Sequence, residues 1–185
     1  MRWVLAAILV ATFVAPAAAQ GGSTLAACSR DEGAGERTLC HELVVPASGA
    51  EVWRLLSTSD GWRSWAAPVA EIELRSGGRL ETSYDRSAQI GDPGNIRSRV
   101  IAVAPERLLV IQIADAPPGF PHEALARELT TAIELEPVDP AHTRVRVTMM
   151  GYRDAPGFET LYAFFDRGNA ATLMALRQHI EQAEP

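Results

Sequence analysis

The chain has no lysine, and all 17 of its basic residues are arginine. Chemistry that runs through a lysine amine, whether a Schiff base or a lysine general base, is thereby excluded. Cysteine is scarce: Cys28 and Cys40 are the only two. No His pair stands beside them at ligand spacing, so they do not read as a zinc site. Basic charge is also short, with a formal net charge of -6. Every acidic residue lies beyond position 20, so losing a leader that carries Arg2 would remove one more positive charge. That balance argues against a nucleic-acid partner, which needs a basic face. There is no phosphate-cradling loop either, because Gly77-Gly78 lacks the pattern such loops continue with and precedes a strand pattern. A nucleophile elbow is missing, and Asp154 and Asp166 stand at no triad-like spacing from a histidine. No catalytic residue and no cofactor are expected.

What is present suits one domain with a sizeable core, since 47% of the 185 residues are hydrophobic and 22% charged. Met1 and Arg2 open the chain, and positions 3–14 are apolar apart from Thr12. Pro16 and Ala17-Ala18-Ala19 follow. This is the order of a secretory signal peptide, with cleavage expected after Ala19. The run is shorter than the roughly 20 residues a spanning helix needs, so no stable membrane span is expected after leader cleavage. The expected organisation is a signal peptide at 1–19, a flexible spacer at 20–36 and one domain at 37–183, in the periplasm or secreted. Leu25-Ala26-Ala27-Cys28 resembles a bacterial lipobox, although 20–24 separate it from the apolar run. Leader cleavage after Ala19 is preferred to lipid anchoring at Cys28. In an oxidising compartment Cys28 and Cys40 read as one disulfide tying the spacer to the first strand; two unpaired thiols are the alternative.

Strand signals begin at 38–45, where Leu39, Leu43 and Val45 share a parity with His41. Ser48 and Glu51 form a capping box for a helix over 49–56. A second short helix carries Trp62 and Trp65 and is closed by Pro68. Strand patterns follow at 69–74, 79–84, 95–103, 108–114, 129–136 and 143–150. In the last of these Val145, Val147 and Met149 alternate with Arg144, Arg146 and Thr148, the pattern of a sheet with one wet face. The period then changes. Phe158, Leu161, Phe165, Thr172, Leu176 and Ile180 recur at three and four, with Gly168 on the same stripe, predicting an amphipathic helix of about 25 residues. Strands and helices are segregated, which argues α+β. The expected fold is a helix-grip: a curved antiparallel sheet around one long C-terminal helix, with two short helices after the first strand and an apolar cavity inside.

Several pieces in order resemble the START-like (SRPBCC) superfamily. They are Val44-Val45-Pro46-Ala47-Ser48, Val52-Trp53 and Trp65, then Gly77-Gly78-Arg79-Leu80 and Ala104-Pro105-Glu106-Arg107-Leu108. The branch most similar is the domain related to the activator of heat-shock-protein ATPase. The segments 117–122 and 164–169 resemble an exported bacterial subset of it. The resemblance covers roughly 38–180 and implies a helix-grip fold around an apolar pocket. It implies no single activity, because such proteins include lipid carriers, hormone receptors and aromatic cyclases.

Candidate ligand-binding residues are polar or aromatic groups on inward positions. Asn169 lies one turn from Phe165 on the long helix. His41 and Tyr84 share the inward parity of their strands. Trp65, with Trp53 and Trp62, can floor an entrance. His122 lies in the Pro-rich loop 115–122, a length typical of lids. For each of these a purely structural role is the alternative. The expected partner is a small hydrophobic or amphipathic molecule, carried without catalysis; the protein partner, if any, is unknown. Two rival readings are a polyketide cyclase-like enzyme using Tyr84, Asn169 and His41, and a protein-interaction module like the heat-shock activator.

Overall fold

Alternation along each strand divides the sheet into an inner and an outer face. The structure, a computed structural model, describes residues 24–183. The expected leader and its cleavage after Ala19 lie outside the described residues.

Nine strands form one curved antiparallel sheet that does not close. They are β1 (Ala26–Ala27), β2 (Arg30–Gly33), β3 (Glu36–Val45), β4 (Val69–Ile72), β5 (Arg79–Ser83), β6 (Ile96–Ala104), β7 (Leu108–Asp115), β8 (Thr130–Asp139) and β9 (His142–Arg153). Their order across the sheet is β1-β3-β9-β8-β7-β6-β5-β4, with β2 also paired to β3. On β9 Thr143, Val145, Val147 and Met149 are buried while Arg144 and Arg146 take the other parity.

Two short helices follow β3. In α1 (Gly49–Ser57) Ser48 Oγ accepts from the Glu51 N–H, and Glu51 Oε2 accepts from the Ser48 N–H at 2.9 Å, completing the capping box. Thr58 caps α2 (Ser59–Trp65) in the same manner, accepting from the Gly61 N–H at 3.0 Å. Glycine is required at 61, because a Cβ there would strike the carbonyls of Arg54 and Leu55. A single turn, α3 (Glu123–Ala126), precedes β8.

The long helix α4 (Phe158–Ala183) lies over the inner face and touches it in two places. Near its start, Phe158 and Leu161 pack with Leu39, Leu129, Met149 and Tyr152. Near its end, Leu173, Leu176 and Ile180 pack with Leu43, Val52, Leu56 and Val100. Burial of each such side chain is worth about 1.5–3 kcal/mol, which holds the helix down at both ends. Between 162 and 172 no residue of α4 is fully buried.

One stretch differs from expectation. Residues read as part of a spacer carry β1 and β2, both on the outer edge of β3. A Cys28–Cys40 disulfide joins them, with Cα atoms 4.7 Å apart. The Cys28 N–H donates to the Cys40 carbonyl at 2.9 Å, and the Cys40 N–H to Ser29 Oγ at 3.0 Å. These bonds satisfy the open edge of β3. All four residues of β2 are exposed, so no hydrophobic alternation could announce it. A thiol engaged in this disulfide is not available to carry a lipid. The bond is compatible with an oxidising compartment.

Candidate functional site

Over the unburied middle of α4 short side chains stand among the larger ones on both sides of a gap. On the helix these are Gly168, Ala171, Thr172 and Ala175; facing them on the sheet are Thr82, Ser98 and Thr131. A Cβ built at Gly168 would have nothing within 4 Å. The result is a cavity of about 280 Å³ between helix and sheet. That is close to the lower bound of ligand pockets, which begins near 300 Å³. Isoleucines 96, 111, 113 and 133 make its floor. An outer recess of about 370 Å³ shares Trp62, Trp65, Thr82, Tyr84 and Gly168 with it, and we read this recess as the mouth.

Aromatic rings close the two ends. Trp62 and Trp65 stack with centroids 5.5 Å apart. Their indole N–H groups donate to the carbonyls of Leu56 at 2.7 Å and Leu55 at 3.2 Å, which fixes both rings against α1. At the other end Phe120, from the irregular segment between β7 and α3, meets Phe164 edge-on at 5.2 Å and Phe165 at 6.0 Å.

The polar groups of the cavity are few and uncharged. Among the described residues no Asp, Glu, Arg or His lines it. Among the described residues the hydroxyls of Thr82, Ser98 and Thr131 have no partner within the protein. Asn169 Nδ2 is shielded from solvent and likewise has no hydrogen-bond partner. Thr172 differs, since its hydroxyl donates to the Gly168 carbonyl at 2.8 Å. Such an arrangement can enclose an apolar body and offer neutral hydrogen bonds to it; it offers no strong acid, base or nucleophile.

A helix gripped by a curved sheet around an apolar cavity is the architecture that the sequence motifs led us to expect, and residues 38–181 match the family described as polyketide cyclase / dehydrase and lipid transport. The chain belongs to this family. It is a START-like (SRPBCC) protein with a likeness to the heat-shock activator branch. No curated protein matches the sequence. Among solved structures, the Aha1 dimer from Colwellia psychrerythraea superposes with a TM-score of 0.62 at 20% identity, covering 80% of this chain and 98% of that one. The di-domain ARO/CYC protein BexL of the BE-7585A biosynthetic pathway gives 0.63 at 24% identity, covering 80% of this chain and 48% of that one. CalU16 from Micromonospora echinospora gives 0.60 at 16% identity, covering 85% and 86%. At these identities the likeness is one of fold.

Within this START-like frame the residues singled out from sequence separate into two groups. Trp65, Phe165 and Asn169 line the cavity, and Tyr84 stands at its mouth, 71% exposed. His41 and His122 are not among the lining residues. His41 is buried on β3, with Nε2 3.2 Å from Asp166 Oδ1 on α4 and Nδ1 unpartnered. It fastens the helix to the sheet beside the cavity. His122 is exposed at the start of α3, in a left-handed conformation at φ 45°. Its ring lies so near Gly157 that a Cβ there would meet Nδ1 at 2.9 Å. The cyclase reading drew on Tyr84, Asn169 and His41 together, and the structure brings only the first two to one cavity.

Sequence reading passed over Thr82, Ser98, Thr131 and Phe120. A signal for three of them was available. Ser98 lies between Ile96 and Val100 on the inward parity of β6, Thr82 follows Leu80 on β5, and Thr131 precedes Ile133 and Leu135 on β8. A short polar residue on an apolar parity marks where a wall recedes. Phe120 had no such mark, because irregular backbone carries no period.

Proposed function

We propose that this protein binds or carries a small hydrophobic or amphipathic molecule in the cavity between α4 and the sheet, outside the cytoplasm and without catalysing a reaction on it. One observation carries the reading: a helix packed against the sheet at its two ends leaves unfilled, mostly apolar space beneath its middle, where Gly168, Thr82, Ser98 and Thr131 interrupt the larger side chains. A domain with no use for the space would fill it, since core voids are costly. The family match and the Cys28–Cys40 disulfide support the same reading. A cyclase-like role has the family description in its favour. Against it, Tyr84 is the only titratable residue on the cavity wall among the described residues, and it is mostly exposed.

The test is native mass spectrometry of the protein purified from its own periplasm or medium, followed by organic extraction. A stoichiometric apolar compound is expected. If the protein stays ligand-free and a broad panel of lipids and aromatic compounds leaves its melting temperature unchanged, the reading is wrong.

A further inference from the structure

The lining of the cavity says something about charge. Trp62, Ile111, Ile133 and Phe165 surround its body, and among the described residues no ionisable side chain other than Tyr84 at the mouth lines it. On α4 Asp166 is engaged with His41 Nε2 at 3.2 Å, and neither of these residues nor Arg167 lines the space. A carboxylate, phosphate or ammonium entering here would lose its hydration and find no counter-charge among the lining residues. Neutral hydrogen-bonding capacity, by contrast, is left over. Asn169 Nδ2 is solvent-shielded and unpartnered. Ser98 pairs with Ile113 on β7, and Thr131 with Ile111 on the same strand, so their hydroxyls flank β7. Two strand spacings, about 10 Å, and two residues along β7, about 7 Å, separate them, so they stand about 12 Å apart. Thr82 is opposite Ile96 and therefore diagonal to Ser98, about 7–8 Å away.

We infer that the ligand is an uncharged carbon skeleton bearing neutral oxygen functions, such as ketone, ester or hydroxyl groups, with the Asn169 carboxamide recognising one of them from the helix side and the Ser98 and Thr131 hydroxyls serving the sheet side. The inference rests on the cavity-binding reading above and sharpens it: free fatty acids and phospholipid headgroups are excluded from the interior. The Asn169 amide lacks a bond in the empty protein, and turning its carboxamide towards the cavity would let a ligand oxygen supply one.

Calorimetry at pH 7 with four probes of matched shape tests this: 2-acetonaphthone, 2-ethylnaphthalene, 2-naphthoate and 2-naphthylmethylammonium. The two neutral compounds are expected to bind, and the anion and the cation at least about 100-fold more weakly than the ketone. In Asn169→Leu the ratio of ketone to hydrocarbon affinity should fall about tenfold, the worth of one hydrogen bond, with hydrocarbon binding kept. Ser98→Ala serves as a second variant that leaves the helix untouched. Binding of the carboxylate within tenfold of the ketone would overturn the inference, as would an unchanged ratio in both variants; either result leaves the cavity-binding reading standing. No binding by any of the four would remove that reading, and this inference with it.

Discussion

Glu81 lies on β5 between Leu80 and Thr82, on the parity opposite the cavity, and has no exposed surface. Alternation places it on the wet face. Instead, the connection between β5 and β6 folds back over it. The Gly91 N–H at 2.6 Å and Asn95 Nδ2 at 2.7 Å donate to its Oε1, and the Nε atoms of Arg79 and Arg97 stand 3.5 Å from Oε2. Burial alone would raise its pKa; the hydrogen bonds from Asn95 and the Gly91 N–H, helped by Arg97 and Arg79, outweigh that and hold it below the usual carboxylate range. A folded-state pKa below the unfolded one gives stability that is fully present above the unfolded value, near 4.3, and is lost as pH falls through the folded value. Glu81→Gln keeps an acceptor for Asn95 but turns an amide towards two guanidinium groups. It should cost about 1–3 kcal/mol at pH 7 in urea unfolding. The deficit should shrink as the titration is repeated at successively lower pH below the unfolded value, as the native carboxyl in its turn loses its charge. A deficit that does not change with pH would mean that Glu81 acts through packing alone. Sequence parity could say which face Glu81 occupies, but not that a loop seals that face.

At the scale of elements, legibility follows periodicity. The stripe of α4 was readable from Phe158 to Ile180, and the capping box of α1 from Ser48 and Glu51, because each is set by neighbours in the chain. β1 spans two residues and β2 is exposed throughout, so neither has a pattern to read. What orders them is a cross-link and the free edge of β3. Their dependence on that cross-link is measurable. The Cys28–Cys40 bond closes a short loop, a sequence separation of 12, for which the chain-entropy model gives at most about 3 kcal/mol. Replacing both cysteines by serine should lower global stability by up to that amount. Hydrogen exchange should speed up at 26–33, while the amides of β7, β8 and β9 keep their protection relative to the global unfolding rate. Uniform loss of protection across the sheet would instead make the N-terminal strands integral to the fold.

Considered as a whole, the molecule has two packed cores with an unfilled span between them, and α4 bridges it. This arrangement could not be read from the sequence, because Thr82, Ser98, Thr131 and Gly168 come from four elements and become neighbours only when the sheet curves. Yet it makes stability and binding oppose one another at a single site. Glycine inside a helix costs about 1 kcal/mol against alanine, and at 168 nothing nearby forbids a larger side chain. Gly168→Leu should therefore strengthen the helix and place apolar bulk in the cavity. Its melting temperature without ligand should rise by about 2–4 °C for each kcal/mol gained. The native protein saturated with ligand at a hundred times its dissociation constant gains about 2.7 kcal/mol, or roughly 5–10 °C, by mass action. The variant should gain nothing, since the ligand has no room. Thermal melts of both proteins with and without 2-acetonaphthone would register the two effects as opposite changes. A variant that is stabilised and still responds to ligand would place the binding site away from the middle of α4.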